Sequence, residues 1–278
     1  MIPPETEWDL QIIRKVNRQR IMQEKGLRTR YIISFIGILA VLIALVSNFF
    51  LRSKKTTITN LSTNKHQVMK KLFLCSSFAD VAGLLNIFEK NLKGKMVTFI
   101  PTASKVEKIN FYVKDAKKEL EKAGMIIDIL DISQAEKSEI VKKIKNNDFI
   151  YVSGGNIFYL LQEMKKTGAD EIIVEEVNNG KLYIGESAGA MIVSENIKYA
   201  GLMDDGTEYI SELKNLNSLN LVDFYTVPHY GCFPFEESAE KTMSAYSSLN
   251  LVPITNNQAI LVDEDKIDVL EIKKQKLF

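Results

Sequence analysis

Cysteine and histidine are both scarce in this 278-residue chain, which contains two of each. The cysteines, Cys75 and Cys232, show neither a Cys-x-x-Cys motif nor the Cys/His spacing of a metal site, so the sequence indicates no zinc centre and no disulfide framework. We interpret both as small, reduced and buried apolar residues. No motif in the chain implies a metal or an organic cofactor.

An excess of charge of one sign is also missing, since 36 lysines and arginines stand against 35 aspartates and glutamates. The formal net charge of +1 gives no whole-protein field that would attract nucleic acid or select an acidic ligand. Nucleic acid is therefore not among the expected partners.

One long stretch lacks charge altogether. Residues 31–51, YIISFIGILAVLIALVSNFFL, are long enough to cross a bilayer as one helix. A secretory signal peptide fits poorly, because about thirty polar residues precede the run and no small-residue cleavage site follows it. A buried core helix is the alternative. The sequence therefore predicts an N-terminal transmembrane helix and a single-pass membrane protein.

The segments on either side of this run are polar. Residues 1–30 form a basic arm with apolar residues at roughly helical intervals, which fits a helix at the membrane surface or a solvated arm. Residues 52–68 are rich in Thr, Ser, Asn and Lys and are predicted to be a linker. More basic residues lie before the run than after it, which favours an outward-facing main domain. If the functional product starts at Met69, a cytoplasmic protein is expected instead.

From Met69 onwards, short β-branched strand patterns alternate with helical patterns, the first pair being KLFLCSS and VAGLLNIFEKNL. This alternation predicts right-handed βαβ units on a parallel sheet. The strands are continuous apolar runs, as a sheet covered on both faces requires. We therefore predict that residues 69–278 form a doubly wound, three-layer αβα domain with a mostly parallel sheet. Such sheets bind ligands at the carboxyl ends of their strands, so the loops that follow strands are the places to search.

The first such loop is GESAGA, residues 185–190, which follows the strand pattern LYIG and leads into helix-compatible residues. Flanking glycines in a Gly-x-Ser-x-Gly turn allow a sharp strand-to-helix turn that exposes the serine. Ser187 is then a candidate nucleophile, and the N–H of Ala188 points to where an oxyanion would form. An ordinary serine in a glycine-rich loop is the alternative. Glu186 is interpreted as a pocket residue or a simple turn residue.

A second glycine loop, SGGN at 153–156, also joins a strand to a helix. It matches neither the G-x-G-x-x-G fingerprint nor the P-loop. The N–H of Gly154 or Gly155 can supply the second donor of an oxyanion hole. Asn156 is expected to cap the following helix and is a candidate pocket residue.

The third loop, FYTVPHYGCF at 224–233, contains His229. If Ser187 needs an imidazole base, His229 is the candidate in the α/β region, because His66 falls in the predicted linker. A Cys232–His229 pair is a rival nucleophile arrangement, although the residues around Cys232 do not resemble a nucleophile turn.

Two aspartates, Asp204 and Asp205, lie between the candidate serine and histidine in the sequence. Serine, acid and histidine follow one another in this order in α/β-hydrolases. Too few residues follow Ser187 for a full α/β-hydrolase, however. The two aspartates are interpreted as pocket-lining groups, as a source of the acid, or as part of a solvated loop.

With these loops in this order, the chain resembles the peptidase S51 family, which contains aspartyl dipeptidase (peptidase E) and cyanophycinase. The resemblance rests on SGGN, on GESAGAMI at 185–192 and on VPHYG at 227–231, and it spans residues 69–278. The tail at 253–270 looks like that family's last strand and hairpin. The resemblance implies a fold similar to class I glutamine amidotransferases, with a serine as the nucleophile.

The resemblance also implies roles for individual residues: Ser187 as the nucleophile and His229 as the general base and then acid. The third position of the triad falls on Asn256, where the family pattern leads us to expect Asp or Glu. Asparagine can hold the imidazole by a hydrogen bond but adds no negative charge. Asp263 and Glu264 are the alternatives for this position.

The expected function is a serine peptidase that hydrolyses short peptides, of dipeptidase or exopeptidase type, through an acyl-enzyme on Ser187. A catalytically weak or inactive binding module with the amidotransferase-like fold, tethered to the membrane, is the alternative. The expected partners are a short peptide substrate and the membrane through residues 31–51. A homodimer is left open.

Overall fold

The computed structural model describes residues 69–272 of the chain. The predicted arm, membrane span and linker, residues 1–68, lie outside the described residues. No helix within residues 69–272 is long and apolar enough to cross a bilayer. The expectation of a single-pass membrane protein is corrected on this finding. The homodimer stays a prediction, because one chain is described.

A seven-stranded, mostly parallel sheet lies at the centre of the described residues. The strands in chain order are β1 (Lys71–Cys75), β2 (Met96–Ile100), β3 (Ile126–Ile129), β4 (Phe149–Val152), β5 (Leu182–Glu186), β6 (Tyr225–Val227), β7 (Leu251–Pro253), β8 (Gln258–Asp263) and β9 (Lys266–Glu271). The sheet has the order β3-β2-β4-β5-β1-β8-β9, in which β1 to β5 are parallel, β8 pairs antiparallel with β1, and β9 pairs antiparallel with β8. Strands β6 and β7 form a separate parallel pair.

Helices cover both faces of this sheet. They are α1 (Phe78–Phe88), α2 (Phe111–Lys122), α3 (Lys137–Asn146), α4 (Ile157–Thr167), α5 (Ala169–Asn178), α6 (Ala188–Met191) and α7 (Glu236–Ala245), with short 3-10 helices at Thr102–Val106, Lys198–Leu202 and Ile210–Glu212. Helices α1 and α2 contribute to the core on one face, and α3 to α7 contribute to the core on the other. The predicted doubly wound, three-layer αβα fold is confirmed.

Alternate residues of the central strands supply these two cores. In β1, Leu72 and Leu74 face one core, whereas Phe73 and Cys75 face the other. All four side chains are fully buried. This two-sided burial explains why the strands appear in the sequence as unbroken apolar runs. The hairpin of β8 and β9 confirms the expected ending of the fold.

The carboxyl ends of β1, β4 and β5 meet at one edge of the sheet. In the register of the sheet, Cys75 of β1 lies beside Glu186 of β5, and Val152 of β4 lies beside Gly185. The loops that leave these strands therefore lie next to one another. This edge brings together the residues of the candidate site.

Candidate active site

Ser187 occupies a sharp turn between β5 and α6. Its backbone has φ 49° and ψ −108°, a conformation that a residue with a side chain rarely adopts. Its N–H donates a hydrogen bond of 2.8 Å to the carbonyl oxygen of Cys75 at the end of β1. The side chain is half-buried. The fold therefore holds the serine at the strand-to-helix turn that the Gly-x-Ser-x-Gly pattern predicts.

The two glycines around Ser187 permit a close approach of the helix to the sheet. A Cβ atom on Gly189 would lie 2.1 Å from the carbonyl oxygen of Val152, and one on Gly185 would lie 2.4 Å from the carbonyl oxygen of Gly189. Positive φ is found at Ser187 itself and at neither flanking glycine. The glycines of the motif are thus required for space, and the serine adopts the strained backbone conformation.

Ser187, His229 and Asn256 form a continuous hydrogen-bonded chain. The Nε2 atom of His229 lies 3.0 Å from the Oγ of Ser187. The Nδ1 atom lies 2.7 Å from the Oδ1 of Asn256. An amide oxygen only accepts, so Nδ1 carries the ring proton and Nε2 presents a lone pair to the serine hydroxyl. The structure brings together the three residues that the family resemblance implies.

The loop of His229 is fixed by contacts from distant segments. His229 has a φ of 59°, and its N–H donates a 2.9 Å hydrogen bond to the Oγ of Ser76. That hydroxyl in turn donates to the carbonyl oxygen of Ile254 at 3.1 Å. The Phe235 ring stacks on the imidazole with 4.7 Å between ring centroids. Ser76 and Phe235 were not identified from the sequence, although Ser76 lies in a loop that follows a strand.

Burial lowers the pKa of His229 below its ordinary value of 6.5, because the desolvated ring disfavours the charged form. The hydrogen bond with Asn256 opposes this shift. The imidazole is therefore neutral at neutral pH, which is the form that can accept a proton.

Neither acidic alternative for the third position lies near the imidazole. Asp263 is paired with Lys71 at the start of β1, whereas Ser187 is bonded to Cys75 at the other end of that strand. The N–H of Glu264 bonds to the carbonyl oxygen of Lys70 at that same remote end.

Asp204 and Asn156 together cap helix α4. The Oδ1 of Asn156 accepts hydrogen bonds from the N–H groups of Phe158 and Tyr159, which confirms the expected N-cap. The Nδ2 of Asn156 donates a 3.0 Å hydrogen bond to the Oδ1 of Asp204. The Oδ2 of Asp204 accepts a 2.7 Å hydrogen bond from the N–H of Ile157. Burial raises the pKa of Asp204 to about 6. Its contacts with the helix terminus indicate a structural role.

Asp205 lies in an exposed part of this loop, and its Oδ1 accepts hydrogen bonds from the N–H and the hydroxyl of Thr207. These contacts lower its pKa. No contact described for Asp205 joins it to Ser187 or His229.

The loop of Gly154 and Gly155 lies directly against Ser187. A Cβ atom on Gly154 would lie 3.1 Å from the Cβ of Ser187. Gly155 has a φ of 129°, and a Cβ atom there would lie 2.2 Å from the backbone of Ala103. Ala188 begins α6, so its N–H has no acceptor within that helix. Gly154 and Ala188 thus lie beside the serine, and Gly155 follows Gly154 in the same loop.

Glu186 is buried beneath the serine and does not line an open pocket. Its side chain is 2% exposed. Its carboxylate accepts 2.8 Å hydrogen bonds from the N–H of Phe78 and from the hydroxyl of Tyr151. Desolvation raises the pKa of Glu186 to about 7, against the opposing effect of these hydrogen bonds.

The thiol of Cys232 has partners other than the imidazole. Its Sγ lies 3.5 Å from the carbonyl oxygen of Tyr230 and 3.4 Å from the N–H of Asn256. Both ring nitrogens of His229 are already engaged by Ser187 and Asn256. This arrangement disfavours the rival Cys232–His229 pair. Cys232 is also half-exposed, so the expectation that both cysteines are buried holds only for Cys75.

Comparisons with known proteins identify the family of the chain. The model of peptidase family S51 matches residues 72–270. An uncharacterized peptidase of Listeria monocytogenes is 53% identical over 195 residues, covering 70% of this chain and 95% of that protein. An uncharacterized peptidase of Pasteurella multocida is 52% identical over 198 residues, covering 71% of this chain and 95% of that protein. The peptidase E of Haemophilus influenzae is 29% identical over 52% of this chain and 63% of that protein.

Two solved structures of peptidases are also similar to this chain. The crystal structure of a Listeria monocytogenes protein assigned as a peptidase E has a TM-score of 0.71 and 50% sequence identity, covering 74% of this chain and all of that one (100%). A peptidase from an acI-B1 Actinobacterium, with a TM-score of 0.56 and 21% identity over 73% of this chain and 88% of that one, shows the fold alone. The match over residues 72–270 and the relatives of more than 50% identity show that the chain belongs to peptidase family S51.

Proposed function

We propose that this chain is a serine peptidase that hydrolyses short peptides through an acyl-enzyme on Ser187. The hydrogen-bonded chain from the Ser187 hydroxyl through the His229 ring to the Asn256 amide is the observation that carries the proposal. A nucleophile, a base within hydrogen-bond reach and a group that orients the base are what acyl transfer to a serine requires. The membership of a peptidase family supports a peptide as the acyl donor.

In the acylation step, the Oγ of Ser187 forms a bond to the carbonyl carbon of the substrate while its proton moves to the Nε2 of His229. The π electrons of the carbonyl move to its oxygen, which gives a tetrahedral oxyanion. Collapse of this intermediate breaks the C–N bond, and the leaving amine takes the proton from Nε2. The 3.0 Å distance between Oγ and Nε2 is within the range needed for the first proton transfer.

The oxyanion needs donors at the start of α6 and in the glycine loop. The Ala188 N–H has no acceptor within α6, so no carbonyl group of that helix competes for it. Gly154 lies against the nucleophile, because a Cβ atom there would lie 3.1 Å from the Cβ of Ser187. We therefore assign the N–H of Ala188 and one N–H of the Gly154–Gly155 pair as the oxyanion donors.

Deacylation uses the same groups with water as the nucleophile. His229 takes a proton from the water, whose oxygen forms a bond to the ester carbonyl carbon while the carbonyl electrons move to oxygen. Collapse of this second tetrahedral intermediate breaks the bond between that carbon and Oγ, His229 returns the proton to Oγ, and the acid product leaves. Asn256 keeps the Nδ1–H in place through both steps, and thus maintains the tautomer that the reaction requires. Because an amide has no full charge, it stabilises the imidazolium less than a carboxylate would.

For the substrate, we propose dipeptides and other short peptides that are cleaved near an end. Relatives named peptidase E support this class. The alternative of an inactive binding module is less favoured, because no residue of the Ser187–His229–Asn256 chain has lost its hydrogen-bond partner.

The proposal is tested by incubating the full chain with a panel of dipeptides and measuring hydrolysis as the release of free amine. We expect turnover by the wild type and a loss of at least about a thousandfold in kcat in Ser187→Ala and in His229→Ala, because the triad members act as one unit. Ser218→Ala, which removes a half-buried serine hydroxyl outside the site, is the matched control and retains activity. Turnover that survives in Ser187→Ala would contradict the assignment of the nucleophile.

A further inference from the structure

The three residues of the candidate triad lie beside strands of two different sheets. Ser187 directly follows β5 and Asn256 lies just before β8, and both strands belong to the seven-stranded sheet. His229 follows β6, which pairs with β7 alone among the described residues. The backbone hydrogen bonds of the central sheet therefore do not include the strand that leads to the base. A contact outside the sheets has to align the base with the nucleophile.

The carboxyl end of β1 supplies this contact. The carbonyl oxygen of Cys75, the last residue of β1, accepts a 2.8 Å hydrogen bond from the N–H of Ser187. The Oγ of the next residue, Ser76, accepts a 2.9 Å hydrogen bond from the N–H of His229. Two consecutive residues thus hold the backbone of the nucleophile and the backbone of the base.

The hydroxyl proton of Ser76 makes a second connection. It is donated at 3.1 Å to the carbonyl oxygen of Ile254, which also accepts a 3.0 Å hydrogen bond from the N–H of Tyr230. The hydroxyl thus bridges the loop of the base and the segment that leads to Asn256. Ser76 uses both its proton and a lone pair in these contacts, so an aliphatic side chain cannot replace it. The residue is 1% exposed, so bulk solvent does not reach the groups that it joins.

The backbone conformation of His229 makes this support necessary. Its φ of 59° lies in the left-handed region, which a residue with a side chain keeps only where surrounding contacts hold it. The Phe235 ring stacks on the imidazole, and this contact orients the ring. The hydrogen bond to Ser76 holds the main chain from which the ring extends.

We propose that Ser76 is a positioning residue, whose hydroxyl holds the backbone of His229 so that Nε2 lies within hydrogen-bond distance of the Oγ of Ser187. This inference rests on the proposed function, and it assigns a role to a residue that is too deeply buried to touch a substrate. In Ser76→Ala, the N–H of His229 loses its acceptor while the hydrogen bond between Tyr230 and Ile254 remains. The loop of the base should then shift relative to the nucleophile.

Steady-state hydrolysis of one dipeptide by the full chain measures the consequence of this shift. We expect Ser76→Ala to lower kcat by about 10- to 100-fold, because a displacement of about 1 Å in a catalytic group has an effect of this size. KM should change by less than about threefold, since no group that binds the substrate is altered. Ser77→Ala is the matched control: Ser77 is the neighbouring half-buried serine, and its hydroxyl does not cap helix α1. This control is expected to keep the wild-type kcat and KM.

The alignment of the base can also be measured without turnover. The chain contains two histidines, so ¹⁵N-labelled histidine gives a simple NMR spectrum, in which His229→Ala identifies the signals of His229. The Nε2 resonance of the neutral ring depends on the hydrogen bond that it accepts from the Ser187 hydroxyl. Ser187→Ala gives its position without that bond. We expect Ser76→Ala to move the resonance towards this position and Ser77→Ala to leave it unchanged.

Each result decides the question. An Nε2 resonance in Ser76→Ala at the wild-type position would overturn the positioning role, whatever the change in kcat. An equal loss of kcat in Ser77→Ala would overturn it as well. If Ser76→Ala does not fold, Ser76→Cys keeps nearly the same volume with a group that forms only weak hydrogen bonds, and an unchanged resonance in that variant would overturn the role. A wild type that hydrolyses no dipeptide would contradict the proposed function, whereas the NMR comparison would still test the role of Ser76.

Discussion

The amide oxygen of Asn256 accepts a 2.7 Å hydrogen bond from the Nδ1–H of His229, at a position where a carboxylate is expected from the family pattern. This contact fixes the ring tautomer without placing a formal charge beside it. It explains how the Ser187–His229 pair can be aligned although no acidic side chain among residues 69–272 is hydrogen-bonded to the imidazole. Orientation and charge stabilisation, which a carboxylate supplies together, are separate in this site.

Substitutions of Asn256 test this separation. In Asn256→Ala, the imidazole loses its orienting partner, and we expect kcat to fall by about a hundredfold, less than the loss that follows a wrong tautomer. Asn257→Ala, which shortens the neighbouring asparagine, is the control and should change kcat by less than about threefold. The measurement is steady-state hydrolysis of one dipeptide by the three proteins. Activity of Asn256→Ala at the wild-type level would contradict the orienting role.

The pH profile of kcat/KM should report the ionisation of His229. Because burial holds the pKa of His229 below 6.5, the neutral base persists to lower pH than for a free imidazole. The acid limb of the profile is therefore expected below pH 6.5, with the rate rising as the pH increases through it. In Asn256→Asp, the added negative charge stabilises the imidazolium and moves this limb to higher pH by about one unit. A limb that does not move would show that another group controls the profile.

Glu186 should also make stability depend on pH. Its pKa is raised from an ordinary 4.5 to about 7 in the folded chain, so the folded state favours the protonated acid. This contribution to stability is fully present below pH 4.5 and is lost as the pH rises through 7. The full shift corresponds to about 3 kcal/mol.

Urea unfolding of wild type and Glu186→Gln at pH 5 and pH 8 measures this effect. The side chain of the variant cannot ionise, so the variant should be more stable relative to the wild type at pH 8 than at pH 5. The difference in the free energy of unfolding between the two proteins should change by about 3 kcal/mol at most. The same difference at both pH values would contradict the raised pKa.

Gly155 should tolerate no side chain. In Gly155→Ala, the new Cβ would lie 2.2 Å from the backbone of Ala103, at a φ of 129° that alanine rarely adopts. We expect a loss of stability of more than about 2 kcal/mol, from steric overlap together with backbone strain. Gly201→Ala is the matched control, because no atom lies within 4 Å of its Cβ position. Similar melting temperatures of the two variants would contradict the close packing of this loop.

Cys232 should be dispensable for the chemistry. Its thiol contacts backbone groups of Tyr230 and Asn256, and the imidazole is engaged by Ser187. Cys232→Ser is therefore expected to keep kcat/KM within about threefold of the wild type, since the serine hydroxyl can replace these weak contacts. A loss comparable to that of His229→Ala would instead support the rival cysteine nucleophile.

The fold and part of the site could be predicted because their signals are local. Apolar strand runs, the Gly-x-Ser-x-Gly turn and the scarcity of histidine lead to Ser187 and His229 without knowledge of tertiary contacts. The contact between Ser76 and His229 joins residues 153 positions apart, so no pattern within a segment contains it.

The orientation of individual groups was also beyond local patterns. The burial of Glu186 among Phe78 and Tyr151 depends on which strands are neighbours in the sheet. The sequence alone therefore leaves open whether Glu186 is a pocket residue or a turn residue. The register of β1, β4 and β5 brings its carboxylate into the interior.

The central claim is that Ser187 is an activated nucleophile, and intact-mass analysis after treatment with a fluorophosphonate tests it most directly. A single adduct on the wild-type full chain, absent from Ser187→Ala and formed much more slowly by His229→Ala, is the expected result, because the reagent reacts with a serine only when a base removes its proton. A folded wild type that remains unmodified, or an adduct that persists in Ser187→Ala, would contradict the account.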